Sequence, residues 1–133
     1  MIDQHASVLV VDDDFDICEV YGEALADCGY HVTTARNGRE ALRHLEQATT
    51  VPDVIIVDWM MPIMDGRELI TEIRRRPRFA RTPIVMMTAN RGLPLVDGTT
   101  QLYKPFSLEV LCEIVQELVG HRIQPEQEIT LTS

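Results

Sequence analysis

Residues 52–62, Pro-Asp-Val-Ile-Ile-Val-Asp-Trp-Met-Met-Pro, constrain the fold more than any other stretch of the chain. A short, unbroken Val/Ile run with proline on both sides predicts a strand buried on both faces, because an alternating pattern would mark a strand with one wet face. Asp58 is the first residue to leave that core. Alone, an aspartate there starts a turn or caps the next helix, so the other strands must decide what it does. Ser7-Val8-Leu9-Val10-Val11 repeats the same switch from core to acid and runs into Asp12-Asp13-Asp14. Pro83 to Thr88 stays apolar until its last residue, and Leu102-Tyr103 predicts a short fifth strand ahead of Lys104-Pro105. Tyr30 to Ala35 reads as a less buried strand.

Between these strands the apolar period becomes helical. Ile17, Tyr21, Leu25 and Cys28 predict a helix from Phe15 to Cys28, stopped by Gly29. Asn37 caps a second helix, with Glu40 three residues on and Ala41, Leu42 and Leu45 facing inward. Asp65-Gly66 leads into a third, with Leu69, Ile70 and Ile73 inward. Ser107 caps the last, whose inner face is Leu108, Leu111, Cys112, Val115, Leu118 and Val119, and Gly120 ends it. Strands alternating with helices predict a doubly wound α/β fold, a five-stranded parallel sheet covered on both faces. Such sheets carry function at the carboxyl ends of their strands. Asp12, Asp13, Asp58, Thr88 and Lys104 all fall there.

Length and charge narrow the function classes. The 133 residues fit one domain, with a core over about 6–121 and a polar, frayed tail over 122–133. A net charge of −9 disfavours nucleic acid and anionic membrane surfaces as partners. No segment is long and apolar enough to span a bilayer, and the N-terminus carries no signal core, so a cytoplasmic location without export is expected. Cys18, Cys28 and Cys112 are odd in number and lack metal-ligand spacing, so each is expected to be a buried, reduced thiol. Arg74, Arg75, Arg76, Arg78 and Arg81 hold five of the twelve basic residues and read as a solvated helix end rather than a docking patch.

Three carboxylates brought to one sheet edge repel one another, and a hard divalent cation relieves the conflict. Mg²⁺ suits the donor set: Asp13 and Asp58 as direct ligands, Asp12 partly through water, the Met60 carbonyl in another position. The competing reading of Asp12 to Asp14 is an acidic helix N-terminus, and for Asp14 that reading is preferred. Lys104 is the only lysine in the chain and follows a strand at the acidic edge, where it would pair with a carboxylate or a phosphoryl oxygen. Thr88 offers a hydroxyl donor beside the small Ala89. Together these groups describe phosphoryl transfer onto Asp58 as nucleophile, with charge on the equatorial oxygens neutralised by Mg²⁺, Lys104 and Thr88.

At this point the chain resembles a known family. Val8 to Asp14, Asp58-Trp59-Met60-Met61-Pro62-Ile63-Met64-Asp65-Gly66, Met87-Thr88-Ala89 and Tyr103-Lys104-Pro105-Phe106 are together similar to the receiver domain of two-component response regulators, over roughly residues 6 to 121. The resemblance implies a flavodoxin-like strand order 2-1-3-4-5 and a cis peptide before Pro105. It implies Asp58 as phospho-acceptor, Asp12 and Asp13 as metal site, and Thr88 and Lys104 as phosphate contacts. It also implies a sensor histidine kinase or histidine phosphotransfer protein as phosphodonor, a downstream protein target, and no turnover of outside substrates.

Two departures from that family stand out. Only Ala89 to Tyr103 separate Thr88 from Lys104, without a helical apolar period, so the family's fourth helix is expected to be a loop or a single turn. Gln101 occupies the position of the family's switch aromatic; Tyr103 shares its strand face and is the candidate substitute. Asn90 and Met60 are expected to border the site. The rival reading is a receiver-like binding module independent of phosphorylation, favoured by these departures and opposed by the complete acidic, Thr and Lys set. A metal-dependent phosphatase fits poorly, because Met60 stands where a second acid would be needed. A stand-alone receiver is expected, since the tail after Arg122 is too short for a DNA-binding or catalytic output domain; a piece of a larger regulator or hybrid kinase is the alternative.

Overall fold

The computed structural model describes residues 6–123. The elements run β1 (Ser7–Val11), α1 (Phe15–Asp27), β2 (His31–Ala35), α2 (Gly38–Gln47), β3 (Val54–Asp58), α3 (Gly66–Arg74), a 3-10 turn at Pro77–Phe79, β4 (Ile84–Thr88), β5 (Thr99–Tyr103) and α4 (Leu108–Ile123). All strand pairs are parallel, in the order β2-β1-β3-β4-β5. The doubly wound five-stranded sheet expected from the sequence is the observed fold.

The continuous apolar runs become the three inner strands because alternate residues feed two separate cores. On one face Leu9, Val11, Ile55, Val57, Ile84 and Met86 pack with Ala41 and Leu45 of α2 and Leu69, Ile70 and Ile73 of α3. On the other, Val8, Val10, Val54, Ile56, Val85 and Met87 pack with Tyr21 and Leu25 of α1 and Leu111, Val115 and Val119 of α4. β3 and β4 are buried at every position, which is why their sequences carry no polar alternation. β2 lies at the sheet edge and buries only Ala35 fully.

Local capping fixes where each helix starts. The Asp14 side chain accepts from the Asp16 and Ile17 amides, so this residue caps α1, the reading preferred above. Asn37 accepts from the Glu40 amide at 2.8 Å, while the Glu40 carboxylate reaches back to the Arg36 amide. At α3 the box closes in both directions: Asp65 accepts from the Glu68 amide at 2.9 Å and Glu68 from the Asp65 amide at 3.0 Å. Ser107 Oγ accepts from the Val110 amide at the start of α4.

The structure corrects several expectations. β5 begins at Thr99, three residues before the predicted Leu102, because an edge strand needs pairing with β4 rather than burial to form. α4 continues past Gly120 to Ile123: a glycine inside a helix weakens it but stops it only where the chain turns away. The tail expected to be frayed therefore lies in the helix at 122–123, and 124–133 fall outside the described residues. Leu108 is 40% exposed, and Cys28, following the last turn of α1, is exposed rather than buried.

The connection from β4 to β5 contains no helix, as expected from its missing apolar period. Leu93 and Val96 cover the sheet there, partly buried against the α2/α3 core. Arg74 anchors the segment. Its Nη1 donates to the carbonyls of Phe79 (2.9 Å), Ala80 (3.3 Å) and Thr82 (2.7 Å), and its Nη2 to Gly98 (3.0 Å). Burial holds its guanidinium below the usual arginine range. Arg76 bonds Glu46 and the Glu72 carbonyl, and Arg78 the Ala48 carbonyl. The arginine cluster is therefore structural cross-bracing at Arg74, Arg76 and Arg78, which a reading of charge alone treats as a solvated helix end.

Candidate functional site

Register alone assembles the site. Val11 is paired with Val57, so Asp12 and Asp58 emerge side by side from neighbouring strands. Asp58 is opposite Met87 and Thr88 opposite Tyr103, so Lys104 leaves β5 beside Thr88, and its amide donates to the Thr88 carbonyl at 2.9 Å. Asp12 is tied to the next strand by its amide, which donates to the Ala35 carbonyl.

One carboxylate oxygen from each of Asp12, Asp13 and Asp58 lies within 4.8 Å of the others. Asp12 and Asp58 are buried at 2% and 5% exposure, and Asp13 is open to solvent. Lys104 Nζ donates to Asp58 Oδ1 at 3.0 Å and stands 4.0 Å from Asp12 Oδ2. Asp12 Oδ1 accepts the Asp14 amide, but its buried Oδ2 receives no hydrogen bond. An orphaned anionic oxygen in a carboxylate cluster is the arrangement a hard cation completes. The donor set therefore fits a divalent metal ion.

Burial dominates the electrostatics. It pushes Asp12 up to about 6, against the Asp14 amide and with repulsion from Asp58 adding to it. Asp58 is likewise raised by burial, opposed by the Lys104 hydrogen bond and charge. Burial works to lower Lys104, but its bond and attraction to Asp58 outweigh that and leave it raised.

Gly66 lets α3 approach this edge. A Cβ there would meet the Asp58 carbonyl oxygen at 2.7 Å and Trp59 Cα at 2.9 Å, and the Gly66 amide donates to the Trp59 carbonyl. Just before it the backbone folds tightly. The Met64 amide donates to the Pro62 carbonyl across Ile63, which sits at φ 72°, a left-handed conformation that β-branched residues rarely adopt. Thr88 is buried and its Oγ1 accepts the Asn90 amide at 3.0 Å, which leaves the hydroxyl hydrogen to donate. The peptide before Pro105 is cis. The Met60 side chain is 69% exposed beside the edge. Gln101 donates within β5 to Thr99 Oγ1, while Tyr103, half-buried, lies under the Arg91 guanidinium at 4.3 Å.

Cys18, Tyr21 and Phe106, which the sequence marks only as a thiol, a helix position and a motif residue, are neighbours of the edge. Cys18 Sγ donates to the Asp12 carbonyl at 3.2 Å, and its thiol is pushed up to about 11 by burial and then by Asp12. Tyr21 is packed against Phe106, the two ring centroids 5.5 Å apart. The signal was present in their spacing, since Cys18 and Tyr21 follow Asp14 at helical intervals on the buried face of α1.

Comparison with known proteins agrees with this geometry. The family model for the response regulator receiver domain matches residues 8–116. The chain is 34% identical to chemotaxis protein CheY1 of Helicobacter pylori over 120 residues, covering 85% of this chain and 96% of that protein. It is 35% identical to the DNA-binding transcriptional regulator NtrC of Escherichia coli over 130 residues, but spans only 27% of that regulator's length. Among solved structures, the chemotaxis response regulator CheY4 of Vibrio cholerae matches with a TM-score of 0.78 at 38% identity, over 86% of this chain and 99% of that one. The receiver domain of sensor histidine kinase PA1611 from Pseudomonas aeruginosa, with a magnesium ion coordinated in its active-site cleft, matches with a TM-score of 0.78 at 29% identity, over 88% and 99% of the two chains. The chain belongs to the response regulator receiver domain family, the signalling module of two-component systems.

Proposed function

We propose that this chain accepts a phosphoryl group on Asp58 from the phosphohistidine of a sensor histidine kinase or histidine phosphotransfer protein. The observation that carries the reading is the convergence of Asp12, Asp13, Asp58 and Lys104 at one edge, with Asp12 Oδ2 buried and without a hydrogen bond. An Asp58 carboxylate oxygen attacks phosphorus, the bond from phosphorus to the donor nitrogen breaks, and its electron pair leaves with the imidazole. Lys104, already 3.0 Å from Asp58 Oδ1, neutralises one phosphoryl oxygen, and the Thr88 hydroxyl donates to another. Asp12, Asp13 and Asp58, with the Met60 carbonyl, would hold Mg²⁺, which supplies positive charge to the remaining phosphoryl oxygens. The magnesium in the PA1611 receiver supports that choice of cation.

The reading extends to a single receiver unit that passes signal to a protein target by conformational change or onward transfer, without turning over outside substrates. A cytoplasmic setting fits, since no helix among the described residues is long and apolar enough to cross a membrane. The β4–β5 connection without a helix and Gln101 in place of an aromatic favour one alternative, a binding module that no longer responds to phosphorylation.

Intact mass after incubation with Mg²⁺ and a small phosphodonor separates the two. Phosphoacceptance predicts gain of one phosphoryl group, lost with Asp58→Asn and lost without Mg²⁺. A folded protein that gains nothing under these conditions is the binding module.

A further inference from the structure

Cys28 and Cys112 lie away from the acidic edge and take no part in the chemistry above. Cys28 caps the C-terminal end of α1, and Cys112 sits in the second turn of α4. They are 84 residues apart in the chain, yet their sulfurs are 2.8 Å apart. Even carbon atoms in contact settle about 3.5–4.0 Å apart, whereas a disulfide bond is about 2.05 Å long. The two thiols therefore sit closer than packing requires and less than an ångström from bonding distance, although both are free.

Their surroundings differ in a useful way. Cys28 is exposed, while Cys112 is half-buried behind it, its thiol also reaching the Ala24 carbonyl at 3.6 Å. Burial, and then the neighbouring Cys28, hold the Cys112 thiol up at about 12, which makes it a poor first nucleophile. Cys18, the third thiol, is buried and bonded to the Asp12 carbonyl. Cys28 directly follows α1 and precedes Gly29 at φ 98°, so its backbone lies where a helix is already ending and can yield by a fraction of an ångström.

We propose that Cys28 and Cys112 form a reversible intramolecular disulfide, with Cys28 as the thiol that meets the oxidant and Cys112 as the resolving thiol. The oxidant is a low-molecular-weight disulfide. The Cys28 thiolate attacks one of its sulfurs, giving a mixed disulfide and releasing one small thiolate. The Cys112 thiolate then attacks Cys28 Sγ, closing the cross-link and releasing the second small thiolate. The two protein thiol protons go to the two released thiolates, so two protein thiols are oxidised as one small disulfide is reduced. The bond would tie α1, which starts after Asp14, to α4, which follows Lys104, and so join the helices leaving both sides of the acidic edge. It stands whether or not Asp58 is phosphorylated.

The test treats the full chain with oxidised glutathione, blocks remaining thiols by alkylation, and reads intact mass and a non-reducing peptide map. The proposal predicts loss of two hydrogens, a fall in free thiols from the three cysteines of the chain to one, and a peptide joining Cys28 to Cys112. Cys28→Ser and Cys112→Ala abolish all three. Because the closed loop is long, oxidation raises the melting temperature by roughly 5–15 °C, and dithiothreitol reverses it. A lasting glutathione adduct on Cys28 without ring closure, cross-linked dimers, a pairing that involves Cys18, or a melting temperature unchanged or lowered by oxidation would each overturn it.

Discussion

Two crossovers leave adjacent strands of this sheet and solve the same problem differently. From β3 to β4 the chain covers the sheet with α3, whose Leu69, Ile70 and Ile73 are fully buried and whose N-terminus is closed by the Asp65/Glu68 box. From β4 to β5 there is no helix. Leu93 and Val96 supply a thinner apolar cover, and the Arg74 guanidinium, reaching across from the end of α3, satisfies the Gly98 carbonyl at the entry to β5. A parallel crossover must hide apolar sheet surface and pair its backbone polar groups, and a helix is one way of doing both. The second crossover divides those duties: Leu93 and Val96 give the cover, while Thr88, Asn90, Thr99 and the Arg74 guanidinium pair its backbone groups. The edge that carries Asp58, Thr88 and Lys104 is built by strand register, so it survives the change.

The sharpest way to break that comparison is to remove cover from each crossover in turn. Leu69→Ala should cost about 2–5 kcal/mol of unfolding free energy, since it opens a cavity in a closed core. Leu93→Ala, at a half-buried site, should cost about 1 kcal/mol. Urea unfolding of both variants checks the gap, and equal costs would mean the loop is as tightly packed as the helix.

Acidity probes the edge that both crossovers frame. Asp12 titrates at about 6 in the folded chain and near 3.8 unfolded, so the folded state binds the proton more tightly. The stabilisation from this group is complete below the unfolded value and is lost as pH rises through about 6. Without metal, the protein should therefore gain up to about 3 kcal/mol from Asp12 on acidification from pH 7 toward pH 4. Asp58 acts in the same direction, and Asp12→Asn should flatten the profile. Chemical denaturation across that range measures it.

Arg74→Ala should cost about 2 kcal/mol by stranding carbonyls ahead of β4 and at the entry to β5. Arg74→Lys should recover little, because one ammonium cannot span the Phe79, Thr82 and Gly98 oxygens. Faster amide exchange in β5 than in β1 would locate the loss. An effect as small as that of Leu93→Ala, but of opposite sign, is expected at Ile63, where glycine relieves the left-handed backbone and should stabilise by about 1 kcal/mol in thermal melts.

Strands and helices whose sequences solve one problem at a time were legible. β1, β3 and β4 bury both faces, so unbroken apolar runs could mean little else. Asp12, Asp58 and Thr88 each end such a run, and Lys104 follows the short Leu102-Tyr103 pair, so their common place at one sheet edge could be read before the structure. Gln101 and Thr99 hid the start of β5, because an edge strand held by its ladder carries no apolar signal. Arg74 was misread because its role depends on backbone carbonyls, three just beyond α3 and one at Gly98, that charge counting cannot see. Cys28 was misread because helical spacing gives a direction but not where the helix stops.

Borohydride reduction followed by peptide mapping tests the central claim most directly, because it converts an aspartyl phosphate into homoserine at the residue that carried it. After Mg²⁺ and phosphodonor, the account predicts homoserine at position 58 and at no other aspartate, with none when Mg²⁺ is withheld. Homoserine at Asp12 or Asp13, or none in a folded, Mg²⁺-supplied protein, would contradict it.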